Sequence, residues 1–145
     1  MTDVSIYRNT SNKPFDIFVE DLKQAVVAAG FSVHHLDKAD LVAFYRDQGI
    51  AMPDNYRHLM IQMCKPANSG KSLPANPERS VFVQKFFSVY SRGAQTEIRF
   101  LVYSPRLIGD LLGHNTFSDG PSDDDFAQNM PNACAAMAKI ADSVV

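Results

Sequence analysis

The sequence has little of what marks several classes of protein. Cys64 and Cys134 are its only cysteines, too few for the disulfide framework of a small secreted domain. Its apolar runs are far shorter than the ~18 residues of a membrane span. Fourteen basic and sixteen acidic residues leave a net charge of −2, so no broad basic surface for nucleic acid exists. Residues 1–5 lack the basic and apolar regions of a secretory signal. We therefore expect a cytoplasmic protein that binds neither membranes nor nucleic acid.

Motifs of catalysis and metal binding are also missing. The four histidines follow no HExxH spacing, and the chain contains no CxxC pair and no GxSxG elbow. The pattern therefore indicates no structural zinc site, no covalently attached haem and no Ser-His-Asp set. The aspartate run 123–125 is explained most simply as charge at a helix start.

Length and patterning predict one domain, residues 1–145, with strands and helices in turn. A short strand begins at Val4. An amphipathic helix follows, whose apolar stripe runs from Phe15 to Val26. A second strand covers residues 31–35. Asp37 then opens a helix that ends at Gly49, and its buried stripe is predicted to be Leu41, Phe44 and Tyr45.

The second half of the chain predicts a hairpin followed by helices. Residues 57–64 have strand length, and residues 65–80 form a long loop because they contain three prolines. Long structureless loops inside a compact domain are often functional. The strongest strands are residues 81–90 and 96–103, joined by a short hairpin loop. Ser104 and Ser122 are predicted to cap the two remaining helices. Pro131 is expected to kink or restart the last one.

This order of elements is typical of an α+β fold, with helices packed mainly on one face of a single sheet. Alternation along the strands assigns one set of side chains to the helix-covered face: Phe31, Val33, Ile98, Phe100 and Val102. The opposite face then receives Ser32, His34, Arg99, Leu101, Tyr103, and from the hairpin Phe82, Phe86 and Tyr90. The third strand adds either His58, Met60, Gln62 and Cys64 or Leu59, Ile61 and Met63, and the pattern leaves this register open.

The second face of the predicted sheet carries too many apolar side chains to remain uncovered. A sheet with helices on one side normally shows a polar second face, and monomers tolerate only small apolar patches. A second copy of the chain, packed sheet against sheet, would cover it. A flat apolar ligand or the last helix would also do so, and the dimer and the ligand can coexist. We therefore expect a homodimer that binds a small apolar ligand.

Non-covalent haem is the sharpest candidate for this ligand, because it needs only one or two axial side chains and an apolar pocket. Candidate contacts for the iron and the propionates are His34, His58, Met60 and Arg99. His114, in a loop, could swing over the pocket. Each histidine taken alone is more simply explained as a solvated or hydrogen-bonded side chain.

Cys64 provides the alternative function. It ends a predicted strand just before the long loop, a junction where catalytic residues are common, and Lys65 beside it would favour the thiolate. The protein would then be a thiol-dependent enzyme or a sulfur carrier with Cys64 as the catalytic residue. The simpler interpretation is that Cys64 is a small core residue. A structural or regulatory dimer without ligand is the third alternative.

Three segments resemble the family called domain of unknown function 302. They are residues 16–25 with Gly30-Phe31-Ser32-Val33, then Met63-Cys64-Lys65-Pro66, then the hairpin ending Val102-Tyr103-Ser104-Pro105. The resemblance covers residues 4–142 and implies a compact α+β fold, often dimeric through the sheet. It implies no activity, because the family has none assigned. The chain departs from the family pattern at Lys65 and in the aspartate-rich loop 114–125.

Overall fold

The computed structural model describes residues 2–145, which form one antiparallel sheet and six α-helices. The strands are β1 (Val4–Ser11), β2 (Ser32–His34), β3 (His58–Cys64), β4 (Lys85–Arg92) and β5 (Gln95–Tyr103), in the order β1-β5-β4-β3-β2. The helices are α1 (Phe15–Ala28), α2 (Leu41–Asp47), α3 (Pro66–Ser72), α4 (Ser80–Val83), α5 (Pro105–Leu112) and α6 (Asp123–Val144). The predicted α+β class with a single sheet is confirmed.

Helices α1 and α6 cover one face of the sheet and form the main core with it. The apolar stripe of α1, with Phe18 and Leu22 fully buried, packs against inward side chains of the strands, among them Ile61 and Phe87. Burial of each such side chain contributes about 1.5–3 kcal/mol. Because Ile61 and Met63 face this core, the register left open by the sequence is decided, and His58, Met60 and Gln62 lie on the other face.

A second cluster lies at the end of the sheet where β4 begins and β5 ends. It joins α4, α5 and the start of α6 through Phe82, Ile108, Leu112, Phe126 and Met130. Beside it, Arg79 and Asp123 form an ion pair in which both side chains are 0% exposed. The partners that complete their hydrogen bonding are Ser72, Asn76, Asn115 and the carbonyl of Pro121. This Arg79–Asp123 network fixes α3, α4 and α6 to one another.

The predicted loop over residues 65–80 is wrong, because most of this segment is helical. Pro66 occupies the first position of α3, where a proline lacks only an N–H that would be unbonded anyway. A 3-10 turn at Pro77–Arg79 and helix α4 follow. The strand predicted from residue 81 therefore begins only at Lys85, and Phe82 belongs to the second cluster rather than to the uncovered face.

Two helix predictions also need correction. Residues Leu36–Lys38 form a separate 3-10 turn, and Asp40 caps α2 by accepting a hydrogen bond from the backbone N–H of Ala43 at 3.0 Å. Val42 is the buried residue of α2, whereas Phe44 and Tyr45 are exposed, because this short helix packs mainly against β3 and buries only one side of its surface. Pro131 does not restart α6, which runs without a break from Asp123 to Val144 and carries Pro131 on its exposed side.

Ser122 is the N-cap residue of α6, as predicted, and forms a capping box there. Its hydroxyl accepts a hydrogen bond from the N–H of Asp125, whose carboxylate accepts from the N–H of Ser122, both at 3.1 Å. We expect Ser122→Ala to lower the free energy of unfolding by about 1 kcal/mol, measured by urea denaturation. The matched control is Ser118→Ala in an exposed turn, expected to change stability by less than about 0.5 kcal/mol. Equal losses in the two variants would contradict the capping role.

Candidate functional site

The face of the sheet that α1 and α6 leave uncovered has an apolar half and a polar half. In the apolar half, Ile6, Phe86 and Leu101 are 44%, 36% and 50% exposed, and Ile6 pairs directly with Leu101 across β1 and β5. The polar half contains charged and hydroxyl side chains, among them Arg8, Thr10, Arg92, Glu97 and Arg99. The expected apolar surface is therefore present over one half of this face, whereas the polar side chains of the other half can remain exposed to solvent.

A cavity opens from the apolar half because β4 and β5 separate. The two strands pair from Ser88–Arg99 to the hairpin turn, but at the other end β4 stays with β3 and β5 stays with β1. The resulting inter-strand cavity has a volume of about 320 Å³ and reaches from the uncovered face to α6. Its apolar lining includes Ile6, Met60, Phe86, Leu101, Met130 and Met137. Such a shape, mostly apolar with a few polar groups, is typical of small-molecule sites.

Arg99 is a fixed cation at the edge of the inter-strand cavity. Its guanidinium donates to Glu97 and to the carbonyl of Asn9, both at 2.9 Å, and lies 5.6 Å from the ring centre of Tyr90. Hydrogen bonds from Thr10 and then Arg99 hold the pKa of Glu97 below its usual range, against the opposing effect of burial. Glu97 thus remains ionised and offsets the charge of Arg99.

His58 lies beside the cavity on the same face and already has a partner at each ring nitrogen. Its Nε2 is 2.8 Å from the hydroxyl of Ser88, a cavity residue, and its Nδ1 bonds the hydroxyl of Tyr56. Burial lowers the pKa of His58 below its ordinary value, so the imidazole is neutral at pH 7. To bind a haem iron, His58 would have to give up one of these bonds.

The other predicted ligand histidines lie outside the cavity. His34, on edge strand β2, pairs with Gln62, and its Nε2 is buried without a hydrogen-bond partner in residues 2–145. His114 bonds Asp110 at 2.9 Å and Asp124 at 2.6 Å, between α5 and α6. The inter-strand cavity therefore brings together Met60 and Arg99 of the five predicted contacts. Haem stays a prediction, and of the predicted contacts Met60 is the one that could place an axial ligand atom, its sulfur, within the cavity.

The pKa of His58 is expected to lie below that of an ordinary histidine, and the pKa of His114 above it. Hydrogen bonds to Asp124 and Asp110 raise the pKa of His114, whereas burial lowers that of His58. The stabilisation by His114 is complete below the pKa that His114 has in the unfolded chain, and it is lost as the pH rises through the folded pKa. For His58 the opposite holds: stability is lost as the pH falls below the pKa that His58 has in the unfolded chain. Imidazole NMR titration between about pH 4 and 9 measures both. Asp124→Asn is expected to lower the His114 pKa only, and coincident curves in the unmodified protein would contradict this account.

A larger groove of about 720 Å³ lies on the helix side of the sheet, between the end of β3, α3 and α6. We call it the lysine groove, because Lys65, Lys71 and Lys85 line it. Cys64 lies in its wall, where its sulfur is 3.3 Å from the hydroxyl of Ser69. The predicted thiol is thus in a pocket, but in a different one from the predicted haem contacts.

Sequence reasoning missed Lys85, although a signal was present. Lys85, Phe87 and Val89 alternate along β4 and share the core-facing side of the strand. A lysine in such a row is uncommon, because ammonium groups are rarely buried without a partner. Lys85 lines both the inter-strand cavity and the lysine groove.

No group of three or more His, Cys, Asp or Glu side chains in residues 2–145 could hold a metal ion. Within the same residues, none of the helices combines the length and apolar character needed to cross a membrane.

Comparison with known proteins gives a structural match. No protein-family model and no curated protein sequence matches the chain. The crystal structure of an uncharacterised conserved protein, DUF302 from Bacillus stearothermophilus, matches with a TM-score of 0.73, over 97% of this chain and 98% of that one, at 14% sequence identity. At this identity the likeness is one of fold. The chain therefore has the fold of a protein from the domain of unknown function 302 family, as its three sequence segments indicated.

Proposed function

We propose that the protein is a binding module for a small, flat, apolar ligand, held in the inter-strand cavity. The observation that carries the proposal is the separation of β4 from β5, since a continuously paired sheet would leave no cavity there. The lining includes Met60, Met130 and Met137, and methionine side chains adapt readily to different ligands. At about 320 Å³ the cavity is near the lower end of the range for such sites. A ligand larger than the cavity, haem among them, would extend over the uncovered face.

A second copy of the chain is the proposed cover for this ligand. Ile6, Phe86 and Leu101 border the cavity and are exposed in a single copy. Two apolar halves packed about a twofold axis would bury these side chains and close the cavity. Light scattering on the eluted protein should give twice the chain mass, and Leu101→Lys should give the monomer. A monomeric unmodified protein would contradict the dimer, and a dimer that binds no ligand would favour a purely structural or regulatory role.

Titration with N-phenyl-1-naphthylamine, a neutral flat fluorophore, tests the cavity. We expect saturable fluorescence enhancement with the unmodified protein. Ser88→Phe, which fills the cavity, is expected to weaken binding at least tenfold, about 1.4 kcal/mol. Arg8→Leu adds an apolar side chain to the same face outside the cavity and should leave the affinity unchanged. Equal affinities in all three proteins, or no binding by the unmodified one, would contradict the proposal.

A haem titration tests whether the apolar ligand is haem in particular. A Soret band that forms with the unmodified protein and weakens in Met60→Ala would support haem as the ligand. If no band forms, haem is excluded, and the apolar ligand must be of another kind. The fluorophore result stands in either case.

Thiol chemistry at Cys64 is the second candidate function, favoured by its position in the wall of the lysine groove. Cys134 is buried and provides an internal comparison. After brief treatment with iodoacetamide, mass spectrometry should find Cys64 modified faster than glutathione under the same conditions, and Cys134 unmodified. A rate for Cys64 no greater than that of glutathione would remove this candidate.

A further inference from the structure

The lysine groove has an unbalanced positive charge. Three of the seven lysines in the chain line it, and none of the aspartates or glutamates of residues 2–145 does. Lys65 and Lys71 are exposed at the rim, and Lys85 is partly buried further in. The chain as a whole carries a net charge of −2, so this local excess of cations is not a consequence of composition.

Although the backbone of Lys85 lies in the β3–β4 ladder, its ammonium makes no ion pair or hydrogen bond with any other residue of the described chain. The side chains around it include the thiols of Cys64 and Cys134 and the thioether of Met63, its partner across β3 and β4. Burial lowers the pKa of Lys85, and the two thiols oppose this by smaller amounts. Buried cations are normally paired, because removal from water is costly without a counter-charge. A bound anion would provide the missing partner.

The rest of the lining adds neutral donors and an apolar floor. The amides of Asn68, Asn129 and Asn132 are exposed along the groove and can donate hydrogen bonds. Val83, Phe126 and Met130 form apolar parts of the wall. The ammonium of Lys65 lies 5.6 Å from the ring centre of Phe31, another wall residue. Cations over an apolar surface match a ligand that has both an anionic group and a hydrophobic part.

We propose that the lysine groove binds a small organic anion, with one or more phosphate or carboxylate groups on a partly apolar body. Lys65, Lys71 and Lys85 contact the anionic groups, and the apolar wall holds the body. The volume of about 720 Å³ lies well within the range for small-molecule sites. This site is separate from the inter-strand cavity, although Lys85 and Met130 line both.

Equilibrium binding of defined anions tests the proposal and separates the two chemistries. Calorimetry is carried out with sodium phenyl phosphate and with sodium benzoate, at low and high salt. We expect at least one to bind, and Lys71→Met to weaken that binding at least tenfold. Lys139→Met removes an exposed lysine of α6 that lies outside the groove and should have no effect. Because the two probes share a phenyl group, tighter binding of phenyl phosphate assigns a phosphate ligand, and tighter binding of benzoate a carboxylate. Absence of binding by both, or equal effects of the two variants, would overturn the proposal.

Pyridoxal 5′-phosphate then tests which lysine is involved. Its aldehyde condenses with a lysine amine, releasing water, and borohydride supplies the hydride that reduces the resulting C=N bond to a stable amine. Peptide mapping should find the label chiefly on Lys65, Lys71 or Lys85. Lys139 should carry at least tenfold less label. In Lys85→Met, the label found at position 85 should disappear. Label distributed in the order of solvent exposure would contradict a built site.

The same variants keep this inference distinct from the proposed function. Lys71 does not line the inter-strand cavity, so Lys71→Met should bind N-phenyl-1-naphthylamine as the unmodified protein does. Loss of anion binding with retained fluorophore binding supports two sites. Loss of both in Lys71→Met, with an unchanged unfolding midpoint, would show that the groove and the cavity are one site and would overturn their separation.

Discussion

Arg79→Met and Asp123→Asn are each expected to lower the free energy of unfolding by about 3–5 kcal/mol, because each leaves a buried charge without its partner. Both side chains are 0% exposed. Arg79 donates to the Asp123 carboxylate at 3.0 Å and to the Pro121 carbonyl at 2.7 Å. The network joins segments that are 44 residues apart in sequence, so its loss should loosen the whole second cluster. Urea denaturation measures the change.

The double variant Arg79→Met/Asp123→Leu gives a sharper test of the same pair. It removes both charges together, so it should be more stable than either single variant. The matched control is Arg57→Met, whose exposed ion pair with Asp16 is worth about 1 kcal/mol at most. Destabilisation by Arg79→Met no greater than that by Arg57→Met would contradict the account.

Asp123 also makes stability depend on pH. Burial alone would raise its pKa, but hydrogen bonds from Asn76, Asn115 and Arg79 outweigh burial and hold the pKa below its ordinary value. The stabilisation is therefore complete above the unfolded pKa of about 3.9 and is lost as the pH falls through the lower folded value. Acid unfolding of the unmodified protein should include this loss.

Phe87→Ala is expected to destabilise the fold by about 3–5 kcal/mol, whereas Phe86→Ala, one residue earlier, should cost less than about 1 kcal/mol. Phe87 is fully buried and meets Phe100 edge to face, with ring centres 5.6 Å apart. Phe86 is on the opposite face of β4 and is 36% exposed. The pair tests which face of the sheet the helices cover, since the two variants delete the same atoms.

The oligomeric state of the same two variants, Phe86→Ala and Phe87→Ala, gives a second test of the faces. If a second copy covers the apolar half, Phe86→Ala should weaken the dimer while leaving the stability of the single chain unchanged. Similar losses of stability in both variants, measured at a concentration where the protein is monomeric, would contradict the assignment of faces.

Local features of the fold could be predicted because their causes are close in sequence. The stripe of α1, the serine caps of α5 and α6 and the hairpin depend on residues within a few positions of each other. The register of β3 could not be chosen, because both of its alternating sets contain apolar residues. It is decided by packing of Ile61 and Met63 against α1 and α6, which the strand's own pattern does not contain.

The features missed by sequence reasoning depend on distant contacts. The three prolines of residues 65–80 predict a loop where α3 lies, although Pro66 stands at the first helical position, where a helix accepts a proline. Asp123 does lie in the first turn of α6, as the sequence indicates, but its ion pair cannot be predicted because its partner Arg79 lies in another segment. The inter-strand cavity depends on where β4 parts from β5, and nothing local in either strand specifies that point.

The most direct test of ligand binding in the inter-strand cavity is the NMR spectrum of protein carrying ¹³C-labelled methionine methyl groups, recorded with and without N-phenyl-1-naphthylamine. Met60, Met130 and Met137 line the cavity, and Met52 does not. The account predicts shifts of the three cavity methyl signals together, with the Met52 signal unchanged. Saturable binding that leaves these three signals in place would show that the ligand sits elsewhere and would contradict the central claim.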